Sequence, residues 1–366
     1  MNKQYKTNVK VVLRMISSLI VVYLMSLTIS ASEFNFSVET VQPATQIDKS
    51  KTYFDMQVEP GVAQDLVIHL RNDTDNDVEI APEIASATTN TNGVVEYSKN
   101  KIKKDSSLKY DLSDIVKTEK TIVIPKKGNY DLHLTVTPPD ETFDGVIAGG
   151  ITLEEKRYET EETETDSQGL AIKNYYSYVV GIVLHSNQTL VTPDLIFKKA
   201  YPSQENARNV IMNELQNPMP TYINNVKIIG EVTHLKDKET AFTVEQDNMQ
   251  IAPNTLFSFP IRAEGRKLKP GKHESHLVVY ANRTKEGPFE YGKDEDGHPI
   301  HYQNKWEFSQ EFTISKEKAK TYNKKDVTIK EDYTMWYVVG GLLLIILALI
   351  IWIIWQNRKE KHVKED

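Results

Sequence analysis

Residues 66–72 read LVIHLRN, and residues 125–134 read PKKGNYDLHL. In the first stretch Leu66, Ile68 and Leu70 alternate with Val67, His69 and Arg71. In the second, continued to Val136, Leu132, Leu134 and Val136 alternate with Asp131, His133 and Thr135. Successive strand side chains point to opposite faces, so a period of two predicts strands with one buried face. The same period runs through Phe54, Met56 and Val58, through Val226, Ile228, Gly230 and Val232, and through Trp306, Phe308, Phe312 and Ile314. Between such runs stand Glu59-Pro60-Gly61, Asn92-Gly93, Lys127-Gly128-Asn129, Asn217-Pro218, Lys269-Pro270-Gly271 and Asp296-Gly297. These supply the fixed or positive φ at which a chain reverses. Many short strands joined by such turns predict β-sandwiches.

The pattern is used twice. A strand ending at Asn72 is followed by the Gly128 turn and an alternating strand; a strand ending at Asn217 is followed by the Gly271 turn and another. The two intervals, 56 and 54 residues, are close, and two tandem immunoglobulin-like β-sandwiches explain them economically. The polar stretch Glu154–Gln168 reads as a linker or as the tip of a long hairpin flanked by Gly145–Leu153 and Tyr175–Leu184. The first sandwich is expected over 33–160, its last strand extending to about 187 in the hairpin case, and the second over 170–315. Residues 316–334, rich in Lys, Thr and Asp, read as a spacer.

Both ends of the chain carry apolar runs. Trp336–Trp355 reads WYVVGGLLLIILALIIWIIW, without a charge. About 20 such residues at ~1.5 Å each cross a hydrocarbon core of ~30 Å. Trp336, Tyr337, Trp352 and Trp355 stand at its ends, where amphipathic rings favour the headgroup layer. A C-terminal transmembrane α-helix over 335–355 is therefore expected, and the basic tail 356–366 should be cytoplasmic. At the other end Lys3, Lys6, Lys10 and Arg14 precede the apolar run Met15–Ile29 and the small residues Ser30, Ala31 and Ser32, the pattern of a secretory signal peptide over 1–32. The chain has no cysteine, which suits export from a Gram-positive bacterium better than a disulfide-rich eukaryotic surface. The Asn-x-Ser/Thr triplets at Asn35, Asn72, Asn187 and Asn282 then read as chance matches. A formal net charge of −7 argues against a nucleic-acid partner.

Catalytic chemistry is not spelled out. There is no cysteine nucleophile, no Gly-x-Ser-x-Gly elbow, no P-loop and no His-Glu-x-x-His. His273 and His276, like His298 and His301, are three apart, and on a strand such pairs face opposite sides. Asp73-Thr74-Asp75-Asn76-Asp77 resembles the start of a calcium loop, but Val78 and Ile84 stand where Gly and Glu are needed, so a polar turn is the simpler reading. No metal or other cofactor is expected. The acidic run Glu159–Asp166 reads as a solvated loop, and Met249–Asn254 as an edge strand entering a turn. The segment Thr142–Ile151 stands out, with three glycines in six residues. Gly weakens a strand unless something approaches closely. Tight packing is the preferred reason. Approach of a ligand is the other, which makes Phe143, Asp144, Gly145, Gly149 and Gly150 the candidate binding segment.

On these marks the chain resembles a known family. Val41-Gln42-Pro43, Tyr53-Phe54-Asp55, Pro60-Gly61 and Phe143–Ile151 are similar to a DUF916 domain. Tyr175–Tyr178, Leu215–Pro218, Met249–Pro253 and Trp306-Glu307-Phe308 are similar to the DUF3324 domain that usually follows. The layout resembles that of WxL-interacting proteins of low-GC Gram-positive bacteria. The resemblance implies peptidoglycan binding by the first domain, binding of host extracellular proteins by the second, and association with a WxL-domain surface protein. It implies a non-enzymatic adhesin or scaffold. A wall-active hydrolase and a sensor relaying through an intracellular partner are the alternatives. With no LPxTG-type signal present, the apolar span would be the anchor.

Overall fold

The computed structural model describes residues 35–156, 177–330 and 334–362; in the last stretch the side chains of 335 and 337–353 are described. The signal-peptide reading and the residues between Arg157 and Tyr176, which hold most of the possible hairpin tip and the acidic run, lie outside the described residues. The chain divides into two compact units.

The first unit contains β1 (Ser37–Val41), β2 (Phe54–Gln57), β3 (Gln64–Arg71) and β4 (Val78–Ser86). Next along the chain, and outside this unit as far as Val95, is a small ribbon, β5 (Thr88–Thr89) with β6 (Val95–Glu96). After it come the single-turn helix α1 (Leu112–Ile115), β7 (Val116–Lys117), β8 (Ile122–Ile124), β9 (Asn129–Val136), β10 (Ile147–Glu155) and β11 (Ser177–His185). A four-stranded sheet of order β1-β3-β9-β7 faces a five-stranded sheet of order β2-β11-β10-β4-β8. One core joins them. Leu66, Ile68, Leu70, Leu132, Leu134 and Val136 from the first sheet meet Phe54, Met56, Ile80, Ile151, Leu153, Ile182 and Leu184 from the second. The alternation of residues 66–71 and 131–136 is thus the inward face of one sheet. β10 and β11 pair antiparallel from Ile147↔Leu184 to Glu154↔Ser177, so β11 is part of this unit.

The second unit contains β12 (Ile196–Glu205), β13 (Arg208–Asn217), β14 (Ile223–His234), β15 (Glu239–Ile251), β16 (Thr255–Arg262), β17 (Gly271–Arg283), β18 (Phe289–Lys293) and β19 (Pro299–Ile314). A sheet β12-β13-β16 faces a sheet β15-β14-β17-β19-β18. Ile211, Leu215, Phe257, Phe259 and Ile261 meet Val226, Ile228, Val232, Leu277, Val279, Phe312 and Ile314 in its core. One polar bridge crosses that core: the Ser275 hydroxyl donates to Asn213 Oδ1 at 2.6 Å, both residues fully buried. Residues Thr88–Val95 and Ile102–Leu108 also belong to this unit, although they precede it in the chain. The Ala252 amide donates to Thr89 Oγ1 (2.9 Å), and the Gln250 amide to the Gly93 carbonyl (2.9 Å). Asn254 Nδ2 donates to the Ser107 carbonyl (3.1 Å). The Met249–Asn254 segment is therefore the strand end and turn on which this excursion lies.

The spacer reading of 316–334 needs correction. Lys316–Lys325 form a helix, α2, capped by Ser315. It packs on the second unit through Ala319 and Tyr322. Asp326 follows as its C-cap, and its carboxylate accepts from the Asn209 amide at 2.8 Å. Lysine-rich composition hid a helix whose few apolar residues face one side.

The last element is α3 (Thr334–His362), 29 residues long. Its Leu and Ile side chains from Leu342 to Ile353 are exposed. Among the described residues no helix is long and apolar enough to cross a membrane. The run of described side chains stops at Ile353, inside the apolar stretch that the sequence continues to Trp355.

Candidate functional site

The candidate segment of the first unit splits into a packed half and a surface half. Gly149 and Gly150 lie within β10, paired with Ser86 and Ala85 on one side and Ile182 and Gly181 on the other. A Cβ on Gly149 would come within 2.1 Å of the Ala85 carbonyl oxygen and 2.6 Å of Leu112 Cδ2. A Cβ on Gly150 would come within 2.8 Å of the Val180 carbonyl oxygen and 2.9 Å of Tyr97 Cβ. Both glycines are filled by the protein itself: α1 sits on the first, Tyr97 on the second. Close packing accounts for them.

Phe143, Asp144 and Gly145 are different. They form the loop before β10, and Gly145 takes φ +76° to turn the chain. The loop is fastened to the end of β11. The Phe143 amide donates to Ser186 Oγ (2.7 Å), the Ser186 hydroxyl donates to the Phe143 carbonyl (2.5 Å), and Asn187 Nδ2 donates to Asp144 Oδ1 (2.8 Å). The Phe143 ring, half-buried, leans on Tyr110, with ring centroids 6.1 Å apart. Both rest against the core of the first unit. The Tyr110 hydroxyl donates to Glu141 Oε1 (2.5 Å), and Lys109 Nζ donates to the same oxygen (2.6 Å). Lys109 also lies 4.8 Å from the centre of the Tyr110 ring. The hydrogen bond with Lys109, then that with Tyr110, holds the Glu141 carboxyl below the ordinary glutamate range. Lys109 in turn is held above the ordinary lysine range by Glu141.

The corner thus presents two aromatic rings beside an ionised carboxylate, an ammonium and the exposed carboxylate of Asp144. Such a surface can stack on an apolar sugar face or acyl chain and hydrogen-bond hydroxyl and amide groups. It is poorly suited to donating a proton, because Glu141 is kept ionised. Tyr110, Lys109, Glu141 and Ser186 had no motif to mark them. Tyr110 lies 33 residues before Phe143 and meets it only through folding.

The remaining candidates are dispersed. His273 is buried and stacks on Phe312, with centroids 5.4 Å apart. His276 faces outward to Glu307 (3.2 Å). Asp294, Asp296 and His298 each bring one donor atom within 4.8 Å of the others, all exposed in the β18–β19 turn. There Asp294 Oδ1 accepts the Asp296 and His298 amides (3.0 and 2.8 Å), so its role is to cap the turn. His301 Nδ1 lies 3.2 Å from the Gly287 carbonyl. The Asp73–Asp77 carboxylates diverge: Asp73 pairs with Arg71, Asp75 with Lys127, and Asp77 accepts the Lys126 amide. Among the helix-end aromatics Tyr337 and Trp352 are exposed, while the side chains of Trp336 and Trp355 lie outside the described residues.

The geometry defines a class first: a two-unit β-sandwich protein whose first unit carries an aromatic corner at its surface. Two sequence models then place it. Residues 36–155 match the WxL Interacting Protein peptidoglycan binding domain, and residues 167–324 match the WxL Interacting Protein host binding domain. The chain belongs to the WxL-interacting protein family. No curated protein matches it. Among solved structures it is similar to the class 5 fimbriae chaperone CfaA, at 10% identity over 75% of this chain and 99% of that one, with a TM-score of 0.30. The Escherichia coli chaperone DraB gives 12% identity over 75% and 98%, TM-score 0.26. The Pseudomonas aeruginosa chaperone CupB2 gives 9% over 69% and 96%, TM-score 0.27. Likeness at that level says nothing about what this chain binds.

Proposed function

We propose that this is a membrane-anchored, non-enzymatic surface protein of a Gram-positive cell. Its first immunoglobulin-like unit holds peptidoglycan and its second holds a host extracellular protein. The observation that carries this reading is the match of two binding-domain models, in tandem, to residues 36–155 and 167–324. The first domain is taken to run from about residue 33 through β11 to about 187, and the second from about 192 through α2. The Tyr110–Phe143 corner is the proposed wall-binding surface. Its aromatic pair and fixed polar groups supply stacking and directional hydrogen bonds, which an acidic protein needs when its polymer partner is also acidic. α3 is the proposed single-pass anchor. Its apolar run in sequence is 20 residues, and its described side chains are apolar on all sides, as lipid requires. A WxL-domain protein is the proposed partner at the wall.

The test is sedimentation of residues 33–333 with protein-free cell wall, with and without a WxL-domain protein. Sedimentation by the chain alone is expected. Sedimentation only with the partner would assign wall binding to that partner, and none at all would remove the proposal.

A further inference from the structure

A cavity of about 550 Å³ opens in the second unit, where β14 turns into β15. Phe242 and Leu268, both buried, supply its apolar surface, and His234 and His273 form a wall, with ring centroids 4.8 Å apart. Its rim is the loop from Arg266 to Pro270. That loop is held in place by α2: the Leu268 amide donates to Asn323 Oδ1 (2.8 Å), and Asn323 Nδ2 donates back to the Leu268 carbonyl (2.9 Å). Asn323 Oδ1 also accepts from Asn209 Nδ2 (3.0 Å). A rim fixed at both backbone groups of its central residue is organised before any ligand arrives.

The loop carries three cations at the mouth, Arg266, Lys267 and Lys269, all exposed. Lys269 is matched by Glu239 (2.6 Å) and lies 3.6 Å from Asp237, which also pairs with His234 at 2.9 Å. Arg266 lies over the Phe242 ring at 5.1 Å and gives only its Nε to the Ala263 carbonyl, 3.3 Å away. Among the described residues neither Arg266 nor Lys267 has an ion-pair partner. His273 adds no positive charge at neutral pH, since burial lowers its pKa from the ordinary histidine range. The mouth therefore carries a positive surplus over an apolar interior, and a guanidinium fork is suited to a carboxylate.

We propose that this cavity seats an apolar side chain of a protein partner while Arg266 and Lys267 bind a carboxylate next to it in the partner's sequence. The occupant is an acidic, apolar peptide segment. This rests on the reading of the second unit as the protein-binding one, and it locates the contact within that unit.

Three capped peptides test it on the full chain in nanodiscs, with empty nanodiscs as blank and peptide-observed NMR as readout. They are acetyl-Glu-Leu-Glu-amide, acetyl-Gln-Leu-Gln-amide and acetyl-Glu-Ala-Glu-amide. The first is expected to bind at least tenfold more tightly than either of the others, a factor in keeping with charge-assisted hydrogen bonds and a buried apolar group. The exposed double variant Arg266→Ala/Lys267→Ala should bring the first peptide to the level of the second. Equal binding of all three, no binding of the first, or an unaltered double variant would overturn the proposal. A host matrix protein that binds wild type and double variant equally would also overturn it while leaving host binding intact. A matrix protein that binds neither would instead count against the host-binding reading.

Discussion

Both units fasten a strand end with a buried asparagine, and they close the loop around it differently. Asn72 follows β3; its Nδ2 donates to the carbonyls of Asn76 (2.8 Å), Ile124 (3.2 Å) and Pro125 (3.2 Å), and its Oδ1 accepts from the Thr74 amide (2.8 Å) and hydroxyl (2.7 Å). Asn217 ends β13; its Nδ2 donates to Thr221 (2.7 Å) and Ala252 (2.9 Å), and its Oδ1 accepts the Met219 amide (3.1 Å). Each hub ties residue i to i+2 and i+4 and then to a distant turn. The distant turns are not the ones the sequence intervals match. β3 pairs with β9, which follows Gly128, but β13 pairs with β16, and Gly271 instead begins β17, next to β14. Ile124-Pro125 is therefore matched by Ile251-Ala252-Pro253, and the similar Asn-to-Gly spacing is accidental. A buried polar hub is the feature the two units share, and loop length between its parts is free to vary. The burial of Asn72 also makes it inaccessible as a glycan acceptor.

The sharpest contrast between the units is in their glycines. Gly149 is walled by backbone, the Ala85 carbonyl and Ser86 Cα; Gly230 is walled by side-chain ends of Leu277, Ile261 and Val244. Backbone cannot give way as a rotamer can, so Gly149→Ala should cost about 3 kcal/mol or more and Gly230→Ala about 1 kcal/mol. Denaturant unfolding of each variant checks the order, and equal costs would break the distinction. Asn72→Ala should cost about 3 kcal/mol and Asn217→Ala about 2 kcal/mol, following the number of buried groups each leaves unpaired. Hydrogen exchange should show each loss confined to its own unit.

Gly93 tests the division itself. It sits at φ +69°, and a Cβ there would meet Met249 Sδ at 2.5 Å. Although Gly93 lies inside the stretch matched by the peptidoglycan binding domain, Gly93→Val should lower the stability of the second unit by about 2 kcal/mol. Hydrogen exchange that changed only in the first unit would contradict the assignment of Thr88–Val95.

The smallest effect is on pH, and its sign differs between the units. In the second, burial depresses the pKa of His273, opposed by its bond to the Gly271 carbonyl. The unfolded histidine binds its proton first, so that stability is full above the ordinary value of 6.5 and is lost as pH falls through the folded pKa. In the first, the hydrogen bond that His133 Nδ1 donates to the Asp65 carboxylate (2.7 Å) raises the pKa of His133. That contribution is full below 6.5 and is lost as pH rises through the folded pKa. Between pH 5 and 7 the second unit should gain protection with rising pH, and His273→Gln should abolish the gain. The first should lose a little, less at high salt because His133 is exposed.

How much could be read beforehand follows the range of the interactions. Alternation located the inward faces at Leu66–Leu70 and Leu132–Val136, because a period of two is a local signal. The alternation of Phe54, Met56 and Val58 puts Asp55 on the outward face, yet it is 6% exposed and pairs with His185 (2.9 Å) and Lys51 (2.7 Å). Its partner His185 is 130 residues away, and no local pattern encodes that contact. The helix over 316–325 was hidden by its lysines, and the seat of residues 88–95 by its hydrogen bonds to a strand end about 160 residues ahead. Phe143 and Gly149 share one glycine-rich segment in the sequence. Folding sends them to separate tasks, one at the surface and one in the packing, and it brings Tyr110 to the first from a stretch with no mark of its own.

Wall binding is proposed to reside in the first unit, at the Tyr110–Phe143 corner. Its most direct test is co-sedimentation of residues 33–333 with protein-free cell wall, comparing wild type with Tyr110→Ala. A loss of roughly tenfold in the bound fraction is predicted, the size expected when an aromatic anchor is removed, with hydrogen exchange elsewhere in the unit unaltered. Undiminished sedimentation of the Tyr110→Ala protein would rule out wall binding at this corner.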